Sequence, residues 1–191
     1  MISDETKINH DIASDLYQNK EVFIEQLIDD HAKSLINFCY TYVKDWGTAE
    51  DLVQDTLIKA YKKMHNLKDL QQSKTWLYSI SANTCKDYLR KEASRKRLFT
   101  NLIEKLFKSS QVPVEVEDEL INKEEANSIE ELVLDLPIKY REIIFLYYYK
   151  ELPTPEIAEL LQVSQSTVRT RLVRGRDLLK NQHNRKGGSS E

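Results

Sequence analysis

Apolar residues recur at helical spacing along most of the chain, and no stretch shows the sustained apolar–polar alternation of a half-buried strand. Phe23, Leu27, Ile28, Leu35, Cys39, Tyr42 and Val43 share one side of a helix predicted from about Glu21 to Lys44, with Gly47 as its stop. Thr48 then suits an N-cap, accepting from the backbone N–H of Glu50 or Asp51, whose carboxylates complement the dipole of the helix they open. Ala49, Leu52, Val53, Thr56, Leu57, Ala60, Tyr61 and Met64 form the packing stripe of that second helix, and Glu50, Gln54, Asp55, Lys59 and Lys62 its polar face. A polar loop from Asn66 to Gln72 leads into a third helix, about Ser73 to Arg95, which buries Trp76, Leu77, Ile80, Cys85 and Leu89. Leu98, Phe99, Leu102, Ile103, Leu106 and Phe107 predict a short fourth helix.

The period fails from Ser109 to Lys123, which contains a proline and reads as a linker. It resumes through Ile129, Leu132, Val133 and Leu136, and after Pro137 through Ile138, Ile143, Ile144, Leu146 and Tyr147. Tyr147, Tyr148 and Tyr149 extend this apolar face, which favours core packing with a surface hydroxyl over a platform for stacking bases. From Thr154 to Arg176 the spacing of Ile157, Ala158, Leu161, Val163, Val168 and Leu172 lets two short helices share one apolar wedge, a helix-turn-helix. Its second helix carries Arg169, Arg171, Arg174 and Arg176, able to offer bidentate donors to base edges and charge to phosphates. The whole is predicted to be all-α, two small helical domains joined by a flexible acidic linker, the C-terminal one a helix-turn-helix.

Composition agrees with this reading. Four Gly and four Pro in 191 residues are few, as expected of a helical protein. The net charge of −3 is unusual for a DNA-binding chain, but the charge is segregated. Lys86 to Arg97 holds six basic residues against two acidic ones, whereas Gln111 to Asp135 holds nine acidic residues against Lys123. Cys39 and Cys85 sit in apolar helical patterns and read as buried thiols, with a disulfide left open. No C-x-x-C pair or histidine cluster suggests a metal, and no cofactor is implied. The apolar run Ile143 to Tyr149 is too short to span a bilayer, and the polar start Met1 to Asp15 has no apolar core, so a cytoplasmic protein without membrane insertion is expected.

The string Thr48-Ala49-Glu50-Asp51-Leu52-Val53-Gln54-Asp55-Thr56-Leu57-Ile58-Lys59-Ala60-Tyr61, then Lys74-Thr75-Trp76-Leu77-Tyr78-Ser79-Ile80-Ser81-Ala82-Asn83, then a linker and the helix-turn-helix, resembles an extracytoplasmic-function sigma factor over Val22 to Lys180. The resemblance implies an N-terminal tail (1–19), a polymerase-binding and −10 promoter domain (20–108), a linker (109–123), a −35 domain (124–180) and a disordered tail (181–191). It implies that Glu50, Asp51, Gln54, Asp55 and Lys59 meet core RNA polymerase, because an acidic-amide face suits protein and not DNA. It assigns Lys74, Tyr78, Asn83, Lys86 and Arg90, with the Asn66 to Ser73 loop as the wall of a base pocket, to recognition and melting of the −10 element. Ser166, Thr167, Arg169, Thr170, Arg171, Val173, Arg174 and Arg176 fall to the −35 element. Partners implied are core RNA polymerase, promoter DNA and a cognate anti-sigma factor, in many members membrane-bound.

Three features depart from the family pattern: the turn, the loop before the third helix, and the expected lack of the long C-terminal extension that some members carry. Gln162 and Ser166 stand where Gly is common, and a non-Gly residue held at positive φ in the turn costs about 1 kcal/mol. The loop carries Asn66-Leu67-Lys68-Asp69 in place of an aromatic residue and a Gly. The rival reading is a stand-alone helix-turn-helix regulator of the response-regulator type, whose N-terminal half would alternate strands and helices. A nucleic-acid enzyme has little support, since no carboxylate cluster, nucleophile–base pair or Gly-rich phosphate loop is present.

Overall fold

The structure, a computed structural model, describes residues 2–64, 67, 72–107 and 129–187, with side chains from Val22 onward except those of Ile24, 102–107 and 186–187. It comprises α1 (Ile2–Val43), α2 (Trp46–Lys63), α3 (Ser73–Phe107), α4 (Ile129–Leu134), α5 (Ile138–Ile144), a π turn (Phe145–Tyr149), α6 (Thr154–Leu161) and α7 (Gln165–Gly187). No strand occurs among the described residues. The expected linker, 109–123, lies outside them, as does most of the Asn66 to Gln72 loop.

Several boundaries differ from the sequence reading, each for a local reason. Helix α1 begins at Ile2 rather than near Glu21 and stops at Val43. The stop is Lys44, which adopts a left-handed φ of 57° and donates its N–H to Tyr40 O at 2.9 Å. Gly47 therefore lies within the first turn of α2, and the cap is Asp45, not Thr48. Its Oδ2 accepts the Thr48 N–H at 2.7 Å, and those hydrogen bonds hold the Asp45 carboxyl below the usual range. Helix α3 runs straight on through the stretch predicted as a separate fourth helix. Helix α7 continues past Lys180 to Gly187, so the expected tail shrinks to 188–191, outside the described residues.

Helices α1, α2 and α3 enclose Leu35, Phe38, Cys39, Tyr42, Ala49, Leu52, Val53, Ala60, Leu77, Ile80 and Cys85. Cys39 and Cys85 are both free and buried, with Cys39 Sγ 3.3 Å from Ser81 Oγ. Trp76 and Leu89 are only half-buried, and Tyr61, expected in the α2 stripe, is exposed.

The second half wraps α4 to α7 around Leu136, Ile143, Leu146, Ile157, Leu160, Val168 and Leu172. Gly175 lets α7 approach α5 closely, because a Cβ there would lie 3.2 Å from Ile144 Cγ1 and 3.5 Å from Tyr140 Cβ. The π turn corrects the reading of the tyrosines. Lys150 N–H reaches back five residues to Phe145 O at 3.2 Å, widening the helix so that Phe145 and Leu146 face inward and Tyr147, Tyr148 and Tyr149 project to solvent.

The two halves, expected as two small domains joined by a flexible linker, also pack on one another. Helix α5 lies on α1 and α6 on α3. Phe38 of α1 meets Phe145 with ring centroids 5.4 Å apart, joining the cores.

Candidate polymerase and promoter interfaces

The first surface is the outer face of α2. Its inner face is fixed by Ala49, Leu52, Val53, Thr56 and Ala60, so Glu50, Asp51, Gln54 and Asp55 stand exposed on the opposite side, as the period required. Lys59 does not belong with them. Its Nζ turns to Thr84 Oγ1 of α3 at 3.0 Å, a tie between helices. The sequence reading missed Ile58, which is 53% exposed and shares the face of Asp51, Gln54 and Asp55 at i, i+3, i+4 and i+7. An apolar side chain standing among acids and amides was the signal available.

The second surface is α3, where the structure divides the five expected residues. Asn83 and Arg90 are exposed, the latter paired with Asp87 at 3.3 Å. Tyr78 is fully buried, its hydroxyl 2.5 Å from Ser34 Oγ and its ring edge-on to Phe38, so it packs the core and meets no DNA in this arrangement. Burial pushes its phenol up to about 12, against the opposing effect of the hydrogen bond with Ser34. Lys74 donates to the backbone oxygen of Lys150 at 3.1 Å, and Lys86 Nζ lies 3.1 Å from Glu142 Oε2. Both cations expected at the −10 element are thus occupied by the second half of the chain.

The third surface is the helix-turn-helix. Helix α6 opens with Pro155 in its first turn, where a missing N–H is harmless. It ends at Gln162, whose φ of 56° and ψ of 46° confirm the left-handed turn residue expected in place of Gly. The turn is closed by Val163 N–H to Ala158 O at 3.0 Å, a Schellman-type bond. Ser164 caps α7, its Oγ accepting the Thr167 N–H at 3.1 Å and lying 2.8 Å from the Thr167 hydroxyl, so Thr167 serves the cap and is half-buried. Ile157, Ala158, Leu161, Val168 and Leu172 are buried in the wedge.

Outward from this wedge, Arg169, Thr170, Val173 and Arg174 line one shallow concave strip with Asp177, and Ser166 is exposed on the turn before it. Arg176 lies aside, beside Ile129, Tyr148, Tyr149 and Leu179. Arg171 is a correction. One step round the helix from the strip, it turns inward with Nη1 3.6 Å from Glu142 Oε1.

The Sigma-70 region 2 family matches residues 27–95 and the Sigma-70 region 4 family residues 126–179. The chain is 33% identical over 161 residues to the extracytoplasmic-function sigma factor SigW of Bacillus subtilis, covering 82% of this chain and 86% of SigW. It is 31% identical to SigM of the same organism, covering 85% and 96%. The chain belongs to the extracytoplasmic-function sigma factors.

Two solved sigma factors share the fold. One is RpoE of Bartonella quintana in complex with the anti-sigma factor NepR, with TM-score 0.61, 21% identity and coverage of 87% of this chain and 98% of that one. The other is CnrH in complex with the cytosolic domain of CnrY, with TM-score 0.56, 22% identity and coverage of 83% and 85%. Helices α1 to α3 of this sigma factor therefore carry region 2, and α4 to α7 carry region 4. Such proteins are non-catalytic initiation factors that bind core RNA polymerase and direct it to promoters. The stand-alone regulator is set aside, because region 2 occupies the half where a receiver domain would have to stand. Among the described residues no helix is long and apolar enough to cross a membrane.

Proposed function

We propose that this sigma factor docks on core polymerase through Glu50, Asp51, Gln54, Asp55 and Ile58 of α2, and reads the −35 element through Ser166, Arg169, Thr170, Val173 and Arg174. Arg176 adds phosphate charge at the edge of that surface, and Asn83 and Arg90 contact the −10 element. Lys74 and Lys86 join them once region 4 leaves α3, because a backbone carbonyl and a carboxylate now hold both. The observation that carries this reading is the division of α7 into two faces. Val168, Leu172 and Gly175 are buried against the rest of region 4, while Arg169, Thr170, Val173 and Arg174 form an uncovered strip in the geometry a major groove accepts. The protein works in the cytoplasm, catalyses no reaction itself, and is held in check by an anti-sigma factor, as RpoE and CnrH are seen bound to NepR and CnrY.

The test is co-purification with core polymerase followed by transcription from a promoter library. The reading expects a discrete −35/−10 motif to emerge, and loss of polymerase from the Gln54→Ala, Asp55→Lys double variant. Retention of polymerase by that variant at wild-type strength contradicts the docking assignment.

A further inference from the structure

Glu142 is a residue that the promoter-reading surfaces do not use, yet three side chains converge on its carboxylate. It stands on α5 of region 4, it is 3% exposed, and its carboxylate gathers one hydroxyl donor and two cations from three helices. Tyr42 of α1 donates its hydroxyl to Oε2 at 2.6 Å, Lys86 of α3 approaches the same oxygen at 3.1 Å, and Arg171 of α7 lies 3.6 Å from Oε1. Tyr42 and Lys86 belong to region 2 and so cross between the halves, whereas Arg171, like Glu142 itself, belongs to region 4. We propose that Glu142 is an internal clasp that holds regions 2 and 4 closed in the free sigma factor, in competition with promoter phosphates. The proposal rests on the assignment of Lys86 to the −10 surface.

The contacts around the clasp have the character of a releasable interface. Thr75 of α3 donates to Glu156 Oε2 at 2.9 Å, Lys74 donates to Lys150 O, and Lys44 pairs with Asp135 at 3.6 Å. Helix α6, the first of the helix-turn-helix, thereby lies across the N-terminal part of the helix that carries the −10 residues. The junction is not optimised, however. Arg141, buried beside Tyr42 and Asp135, leaves Nε and Nη1 without a partner among the described residues, and burial lowers its affinity for a proton. A buried N–H without an acceptor penalises the closed form, since opening lets water satisfy it. The closed form is therefore held by one well-satisfied carboxylate against a poorly satisfied neighbour, which suits a contact that has to part.

Parting is required by promoter geometry. Two elements separated by about 20 base pairs lie roughly 70 Å apart along the duplex, which helices in van der Waals contact cannot both reach. The buried carboxylate does for Lys86 what phosphate does on DNA: it supplies an anionic acceptor close to the ammonium, 3.1 Å away. Binding of α2 to polymerase leaves Glu142 untouched, so the clasp does not oppose docking directly. It sets how much of the free protein stands open.

The experiment is single-molecule energy transfer on the full chain, labelled through Lys33→Cys and Asn181→Cys, both exposed positions in different regions. Cys39 and Cys85 are buried and stay unlabelled. Wild type is expected to show mainly the high-transfer, closed population. Glu142→Gln, which keeps the acceptor oxygen but removes the charge, should raise the open-to-closed ratio at least tenfold, and Tyr42→Phe about fivefold. Tyr42→Phe is the deciding variant, because it changes no charge and touches no proposed DNA or polymerase contact. A gain in its affinity for duplex bearing the −35 element, measured without polymerase, must come from opening. Far-ultraviolet circular dichroism checks that both variants keep their helix content. An open wild-type population, or an unchanged distribution in Tyr42→Phe, overturns the clasp. Opening in both variants with no gain for single-stranded −10 DNA upholds the clasp and overturns instead the assignment of Lys86 to that element.

Discussion

Leu172 and Val173 are neighbours on α7, one helical step apart, yet the first is 5% exposed and the second 49%. Truncating each to alanine separates the fold of region 4 from its reading surface. Leu172→Ala removes three carbon groups from the wedge formed with Ile157, Ala158 and Val168. At about 0.8 kcal/mol per buried group the transfer loss alone is roughly 2.4 kcal/mol, and the space left behind brings the expected total to about 2–5 kcal/mol. Val173→Ala removes two methyl groups that are already half in water, a loss of about 0.8 kcal/mol. The better helix propensity of alanine returns about 0.5 kcal/mol of it, so stability should change by less than about 0.5 kcal/mol. Urea unfolding followed by circular dichroism measures both. The functional consequences should run in the opposite order. Val173→Ala should weaken discrimination at a −35 position where its methyl groups meet a thymine methyl, whereas Leu172→Ala lowers the amount of folded protein without altering sequence preference. Equal stability losses, or the larger loss in Val173→Ala, refute the division of α7 into a packed and a reading face.

Four further outcomes are expected. Arg169→Ala and Arg174→Ala should each remove about 1–3 kcal/mol of discrimination at the upstream element, read as the affinity ratio between matched and mismatched duplexes at fixed salt. Arg176→Ala, from the edge of the surface, should weaken all duplexes alike and flatten the salt dependence by about one ion, which a salt titration resolves. Tyr78→Phe should leave promoter melting by the holoenzyme unchanged in a permanganate footprint, because the hydroxyl is turned to Ser34 and not to solvent, and should cost about 0.5–1.5 kcal/mol in urea. Gln162→Gly relieves about 1 kcal/mol of left-handed strain, partly offset by the freer unfolded chain, so thermal unfolding should rise by about 1–3 °C.

Periodicity was enough to read the helix-turn-helix from the chain, because Ile157, Ala158, Val168 and Leu172 bury one wedge whatever surrounds it. The same holds for the outer face of α2, where Asp51, Gln54 and Asp55 oppose a regular stripe. Local capping was harder. Asp45 and Thr48 are both good caps, and the choice between them turned on Lys44 accepting a left-handed φ, which its side chain gives no reason to expect. The tyrosines failed for a different reason, since an α-helical period places Tyr147 inward and a single π turn rotates it out. Least legible were Tyr78, Lys74, Lys86 and Arg171. Their partners, Ser34, Lys150 and Glu142, lie far away in sequence, within one region for Tyr78 and Arg171 and across the two regions for Lys74 and Lys86, and no local pattern reports either kind of contact.

The most direct test of polymerase-dependent initiation through the α2 face is promoter opening by the full chain with core polymerase. A permanganate footprint on a promoter taken from the library is expected to show reactive thymines at the −10 element only when both proteins are present, and to lose them with Gln54→Ala, Asp55→Lys. Tight, sequence-specific binding of the full chain to promoter duplex at physiological salt without polymerase, with no dependence of opening on the α2 face, would contradict it.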